Sequence, residues 1–273
     1  MYFKQLMTFT LLTLVGCGGS TTPPASTDEA PPVAVAAPVA VVAAVANYEN
    51  AVASPGRTDA DRERDAGRKP AEVLEFFGIV PGMSVLDMFS GGGYYTEMLS
   101  QIVGQDGRVV AHTNSAYAGF VGEEAINRYA NNRLPNVEIL LAENNELELP
   151  AAEYDAVMLI LAYHDIYYDD AANGWPKIDG PKFLAELKKG LKPGGLLAVV
   201  DHYAETGSPR ETGGTLHRID PQIVIDEIEA EGFVLEGKSE VLRSMDDDYS
   251  LAVFDAQVRG KTDRFVLKFR LPQ

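Results

Sequence analysis

Cysteine is all but missing from this chain of 273 residues, and Cys17 is the single example. One thiol cannot build a disulfide framework, so a packed apolar core has to hold the fold. Basic residues are also scarce, with 23 Lys and Arg against 40 Asp and Glu and a formal charge of −17. A grip on phosphate backbones needs clustered Lys and Arg, which excludes nucleic acid as a partner. Leu6 to Val15 is apolar but falls short of the roughly 20 residues a membrane-spanning helix requires. No internal repeat marks the chain. What it has is a 46% hydrophobic content, enough for one good core with tails.

The most informative stretch runs from Val85 to Glu97, Val-Leu-Asp-Met-Phe-Ser-Gly-Gly-Gly-Tyr-Tyr-Thr-Glu. A β-rich run ends in Asp87, a turn with Gly91, Gly92 and Gly93 follows, and a helix-forming segment begins at once. Strand, glycine loop and helix in that order make a nucleotide pocket at the carboxyl edge of an open α/β sheet. The glycines let a ligand lie close to the backbone. Thr96 stands where the third glycine of G-x-G-x-x-G belongs, so the dinucleotide fingerprint does not fit.

Elsewhere βα units alternate. Pro70 opens a helix with Val73, Leu74 and Phe77 on its apolar face, and Gly78 stops it. Helices are expected over 95–103, 123–131 and 181–191, and another capped by Asp220 with Pro221 at its first position. Strands are expected over 108–113, 137–142, 154–161 and 196–201. The tail changes character: 233–242 and 264–270 read as an antiparallel pair. Residues 47–273 are therefore one α/β domain. Thr58 and Asp61 have capping-box spacing, and Arg62, Arg64, Arg68 and Lys69 interleave with acids as a solvated, ion-paired helix would. Asp246-Asp247-Asp248 reads as a solvated turn, and Arg218, Arg259 and Lys261 are open to surface placement or to an anionic substrate.

Four segments carry a family resemblance. Val85 to Gly93 is similar to motif I of the class I S-adenosylmethionine (SAM) dependent methyltransferases. Leu191-Lys192-Pro193-Gly194-Gly195 resembles their L-x-P-G-G turn, Glu153 to Val157 the approach to their fourth strand, and Leu141 to Asn144 the place of an adenine-contacting acid. The resemblance runs from Pro70 to the C-terminus. It implies a Rossmann-like methyltransferase fold: a mostly parallel seven-stranded sheet with a C-terminal antiparallel hairpin and helices on both faces. It implies SAM as cofactor, with Asp87 toward the methionyl end and Ser90, Gly91, Gly92, Gly93, Tyr94 and Tyr163 around it. Glu143 and Asn144 would meet the adenine. Phe89 departs from the usual first glycine, and Thr113 or Asn114 stands where a ribose-binding acid is expected; Asn114 carries no charge, which predicts weakened SAM affinity. The segments GGGYYTE, YHD, GTLHRID and RGKTD resemble a group of exported predicted methyltransferases.

Leu14-Val15-Gly16-Cys17 resembles the lipobox of bacterial lipoproteins. It implies a signal peptide over 1–16, lipidation of Cys17, a Pro/Ala/Val tether over 17–46, and a cell-envelope protein on the outer membrane facing the periplasm. The expected partner is a small-molecule or envelope acceptor.

His112, His164, His202 and His217 follow strands or precede a helix so that a parallel sheet would gather them at the glycine-loop edge. His112 is read as structural. His164 with Asp165, and His202 and His217, are the catalytic candidates, either supplying a general base or holding a metal with Asp165 or Asp201. A ligand-binding protein on the same fold, without catalysis, is the competing reading.

Overall fold

The computed structural model describes Gly18 and residues 46–273. The expected signal peptide, Cys17 and nearly all of the expected tether lie outside the described residues. Among the described residues no helix is long and apolar enough to cross a membrane.

The domain opens with α1 (Tyr48–Val52), α2 (Asp59–Arg68) and α3 (Pro70–Phe77), then β1 (Ser84–Met88), α4 (Tyr94–Val103) and β2 (Arg108–Thr113). Next come α5 (Ser115–Val121), α6 (Glu123–Tyr129), β3 (Val137–Leu141), β4 (Tyr154–Ile160), α7 (Gly180–Gly190) and β5 (Leu191–His202). The chain ends with α8 (Thr212–Leu216), α9 (Pro221–Ala230), β6 (Val234–Ser239) and β7 (Arg264–Arg270). The strand order is β3-β2-β1-β4-β5-β7-β6. Neighbours from β3 to β5 are parallel, and β7 runs antiparallel to both β5 and β6.

The expected seven-stranded sheet and the β6–β7 pair are present. Residues 240–263 join the pair in place of a tight turn, and β7 slots between β5 and β6, so β7 alone is reversed. Gly194 takes φ +77°, and the L-x-P-G-G run becomes a bulge inside β5, where pairing slips between Tyr154–Leu191 and Ala156–Leu196. A bulge of this kind re-aims the strand without ending it.

Alternation along the strands makes two cores. Val85, Val109, Met158 and Val200 pack with Val73 and Leu74 of α3 and Met98 and Leu99 of α4. Leu86, Val157, Leu159 and Val199 pack on the other side with Phe183 and Leu187 of α7 and Val224 and Ile228 of α9. Helices on both faces leave only the strand ends free. The order reverses between β1 and β4, and a crevice opens there beyond the carboxyl ends.

Candidate functional site: a two-chambered cleft at the carboxyl edge

Two cavities meet at this crevice. The larger, about 560 Å3, is lined by Asp87, Gly91, Arg68, His164, His202 and His217. The smaller, about 170 Å3, is lined by Asn114, Glu143 and Asn144. Phe89, Tyr117, Asp165 and Trp175 border both. Ser90, Gly91, Gly92 and three of the four histidines thus face one chamber, and Asn114, Glu143 and Asn144, the residues expected at ribose and adenine, face the other.

Asp87 ends β1 with 3% of its surface exposed. Its carboxylate accepts from Thr96 Oγ1 at 2.6 Å and has no ion pair among the described residues. Burial pushes its pKa up to about 7, with the Thr96 hydrogen bond working in the opposite direction. Phe89 follows at φ +51°, a left-handed conformation unusual for a bulky residue. It turns the ring onto His112, Tyr117 and Phe183 at centroid distances of 5.1–5.7 Å. Ser90 donates its N–H and its Oγ to His112 O, which fixes the loop to β2.

The glycines divide in role. A Cβ on Gly91 would meet nothing nearer than 3.9 Å, whereas one on Gly92 would lie 2.3 Å from the Glu124 carboxyl carbon. A Cβ on Gly93 would collide with Tyr129 and Arg128. The close approach expected of a ligand is made at Gly92 and Gly93 by side chains of α6, and only Gly91 is left with space above it.

The expected histidine edge forms, with unequal roles. His112 Nε2 lies 3.0 Å from Ala142 O and its Nδ1 receives the Phe89 N–H at 3.4 Å. One nitrogen donates and the other accepts, so the ring is neutral. Burial depresses its pKa to about 4 against the Ala142 bond. His164 sits on the 3-10 turn Tyr163–Tyr167. Its Nδ1 is 2.7 Å from Asp201 Oδ1, and its N–H donates to Asp201 Oδ2 at 2.9 Å. Asp201, rather than the adjacent Asp165, orients it. Burial disfavours the imidazolium, but Asp201 and Asp165 outweigh that and raise the pKa to about 9. His202 Nδ1 pairs with Thr262 Oγ1 at 2.8 Å; burial, then the Arg264 charge, push its pKa well down. His217 takes a left-handed backbone, φ +54°, and packs on Tyr168 and Phe254.

Several assigned residues behave differently from expectation. Tyr163 is fully buried, lines neither cavity, and donates to Glu227 Oε2 at 2.8 Å. In a 3-10 turn residues three apart share a side: Tyr163 and Ile166 face the core, and His164 and Asp165 face the cleft. Tyr94 borders the larger cavity, but its hydroxyl is committed to Asp65 at 2.6 Å. Asn114 Oδ1 caps α5 through the Tyr117 N–H at 2.8 Å, and Glu143 Oε1 accepts from Ser115 N. Asn144 Oδ1 is buried with no partner.

Asp59, Arg62 and Glu63 of α2 are exposed and Arg64 pairs with Asp61, as expected of an ion-paired helix, but the Asp61 side is not solvated. Asp61 is fully buried and binds Arg128 of α6 through two contacts of 2.9 and 3.0 Å, while Arg128 also pairs with Glu97 of α4. This network clamps α2 and α6 over the glycine loop. The sequence signal was the capping box, which explains Asp61's bond to Thr58 N but not its burial. Asp247 is likewise no solvated side chain: it forms a buried pair with Arg218 at 2.7 Å, and Arg218 is not at the surface.

Residues 47–168 match the protein-L-isoaspartate(D-aspartate) O-methyltransferase (PCMT) family. A ubiquinone/menaquinone biosynthesis C-methyltransferase of Shewanella pealeana is 30% identical over 130 residues, 47% of this chain and 46% of that protein. The chain therefore spans about half the length of the curated relatives it matches. A SAM-dependent methyltransferase from Aquifex aeolicus superposes with TM-score 0.53 at 24% identity, over 79% of this chain and 100% of that one. A Haemonchus contortus phosphoethanolamine N-methyltransferase, solved with SAM, gives 0.54 at 14% identity, covering 84% of this chain and 61% of its own. Strand order, motif I and these matches show the fold of the class I SAM-dependent methyltransferases, with the similarity to the PCMT family confined to residues 47–168. SAM is the cofactor of that class.

Proposed function

We propose that this chain transfers a methyl group from SAM to an acceptor held against the histidine edge. The observation that carries the reading is Asp87, a buried carboxylate with no cation among the described residues, facing the same cavity as three imidazoles. Burial without a countercharge is costly, and a cationic ligand group relieves it. Arg68 lines that cavity, lies over the Tyr94 ring at 4.6 Å, and its side chain has no hydrogen bond or ion pair among the described residues. Asp87 and Arg68 thus suit the ammonium and carboxylate of a methionyl end. The orphaned Asn144 Oδ1 and the Glu143 side chain suit a purine in the smaller chamber.

When bound, SAM supplies an electrophilic methyl group on a sulfonium. The chain contributes positioning and exclusion of water. Phe89, Tyr117 and Trp175 wall the junction between the chambers, so a reacting methyl would lie where His164, Asp165, His202 and His217 converge. His202 offers a neutral ring to an acceptor proton, and Asp201 holds His164 in place. The acceptor we propose is a small molecule or envelope component. The lipobox-like residues support anchoring through Cys17 to the outer membrane. Mass spectrometry of the mature N-terminus tests that anchor, and an unprocessed Met1 would remove it.

Calorimetry with SAM tests the catalytic reading. Binding of one equivalent is expected, weakened at least tenfold by Asp87→Asn. An absence of heat and of thermal shift at millimolar SAM would overturn it.

A further inference from the structure

The closest-knit polar group in the cleft is formed by His164, Asp165 and His217. His164 Nε2 lies 3.3 Å from Asp165 Oδ1, and His217 Nδ1 lies 3.5 Å from the same oxygen. One donor atom from each residue falls within 4.8 Å of the others. Both spacings exceed the roughly 2.7–2.9 Å of a charge-assisted hydrogen bond. They match ligand atoms sharing one ion instead: donors about 2.1 Å from a metal sit about 3.0 Å apart in octahedral and about 3.4 Å apart in tetrahedral geometry.

The surroundings are those of a supported ligand set. Asp201 takes the remaining nitrogen of His164 at 2.7 Å and also holds its backbone N–H, the carboxylate–histidine arrangement that orients a metal ligand. The Tyr117 hydroxyl donates to Asp165 Oδ2, which leaves Oδ1 turned to the imidazoles. His217 is held in a left-handed backbone conformation between the rings of Tyr168 and Phe254, 5.1 and 4.8 Å away. Strain of this kind persists where surrounding structure fixes it. All three side chains line the larger cavity, so the fourth side of the group faces open space.

We propose that His164 Nε2, Asp165 Oδ1 and His217 Nδ1 bind a first-row divalent transition metal, of the Zn2+ or Fe2+ type, with open coordination positions facing the cavity. Two imidazoles and one carboxylate suit such an ion; Ca2+ and Mg2+ prefer all-oxygen shells. The open positions take an acceptor that presents an oxygen donor, and only this role rests on the methyltransferase reading. A metal-bound hydroxyl group is more acidic, so the ion would anchor the acceptor with its oxygen toward the methyl site.

The test uses the chain purified without a polyhistidine tag and stripped by a chelator. Co2+ is titrated while its visible absorption is followed, and Zn2+ by calorimetry, with SAM calorimetry on the same sample. One equivalent of either metal is expected. His217→Ala, at a partly exposed position, and the isosteric Asp165→Asn should each weaken binding at least 100-fold, and Asp201→Asn about 10- to 100-fold. Circular dichroism identifies the variants that fold. Less than a tenth of an equivalent bound, or full binding by folded His217→Ala and Asp165→Asn, would overturn the site. SAM binding without metal binding sinks this inference alone, and metal binding without SAM sinks the methyltransferase reading alone.

Discussion

Asp201 holds His164 at two points, its Oδ1 2.7 Å from the imidazole Nδ1 and its Oδ2 2.9 Å from the backbone N–H. It also accepts the His202 N–H at 2.7 Å. One fully buried carboxylate thus ties the end of β5 to the turn after β4. Asp201→Ala orphans these donors, and with about 1–3 kcal/mol for each unsatisfied buried group the expected loss is about 3 kcal/mol. In a domain of this size that lowers Tm by roughly 6–12 °C. Thermal unfolding followed by circular dichroism measures it, and an unchanged Tm would contradict the clamp.

Acid should release the clamp over the glycine loop. Burial disfavours ionised Asp61, but the Arg128 hydrogen bond and charge, together with the Thr58 N–H, outweigh it and hold its pKa at about 2, below the ordinary 3.8. A carboxylate with a depressed folded pKa adds stability above its unfolded pKa and loses it as pH falls through the folded value. The Asp61 contribution is therefore whole above pH 3.8 and fades toward pH 2. Asp61→Asn should cost about 3 kcal/mol at neutral pH, as removal of one partner of a buried pair does, and should flatten the acid limb. Urea unfolding between pH 2 and 7 compares the two proteins, and parallel profiles would count against the assignment.

The glycine loop, the strands and the histidine edge were legible because each is a local pattern repeated in chain order. Alternation puts Val85 and Leu86 on opposite faces, and a parallel sheet collects strand ends whatever the loop lengths. Pairings across long separations were not legible. Asp61 looks like a capping residue, and nothing near it in sequence announces Arg128. Asp247 sits in a run of acids that suggests solvent, and Arg218 buries it from 29 residues away. Tyr163 lies next to two cleft residues, but the pitch of the turn sends it the other way.

That last difference is measurable. Tyr163 gives its hydroxyl to Glu227 in the core, so Tyr163→Phe should cost about 1 kcal/mol of stability, the net worth of one hydrogen bond. SAM affinity should match that of the unaltered chain. A tenfold weaker Kd at unchanged fold would return Tyr163 to the cofactor site.

Asp87 gives SAM binding a pH dependence of determined sign. Burial raises its folded pKa to about 7 from 3.8, so its protonated form is favoured in the unliganded fold. Its contribution to stability is accordingly greatest below pH 3.8 and is lost as pH rises through about 7. A cationic ligand beside Asp87 demands the carboxylate, and binding must then expel the proton. SAM should bind about tenfold more weakly for each pH unit below 7, reaching a plateau above it. Proton release on binding should reach about one per site at pH 6, read from calorimetry in buffers of different ionisation enthalpy. Asp87→Asn should bind weakly at every pH and release none at this position. A wild-type Kd that stays constant from pH 5.5 to 8.5 would show that Asp87 does not face the cation, and the pairing of Asp87 and Arg68 with a methionyl end would fall with it.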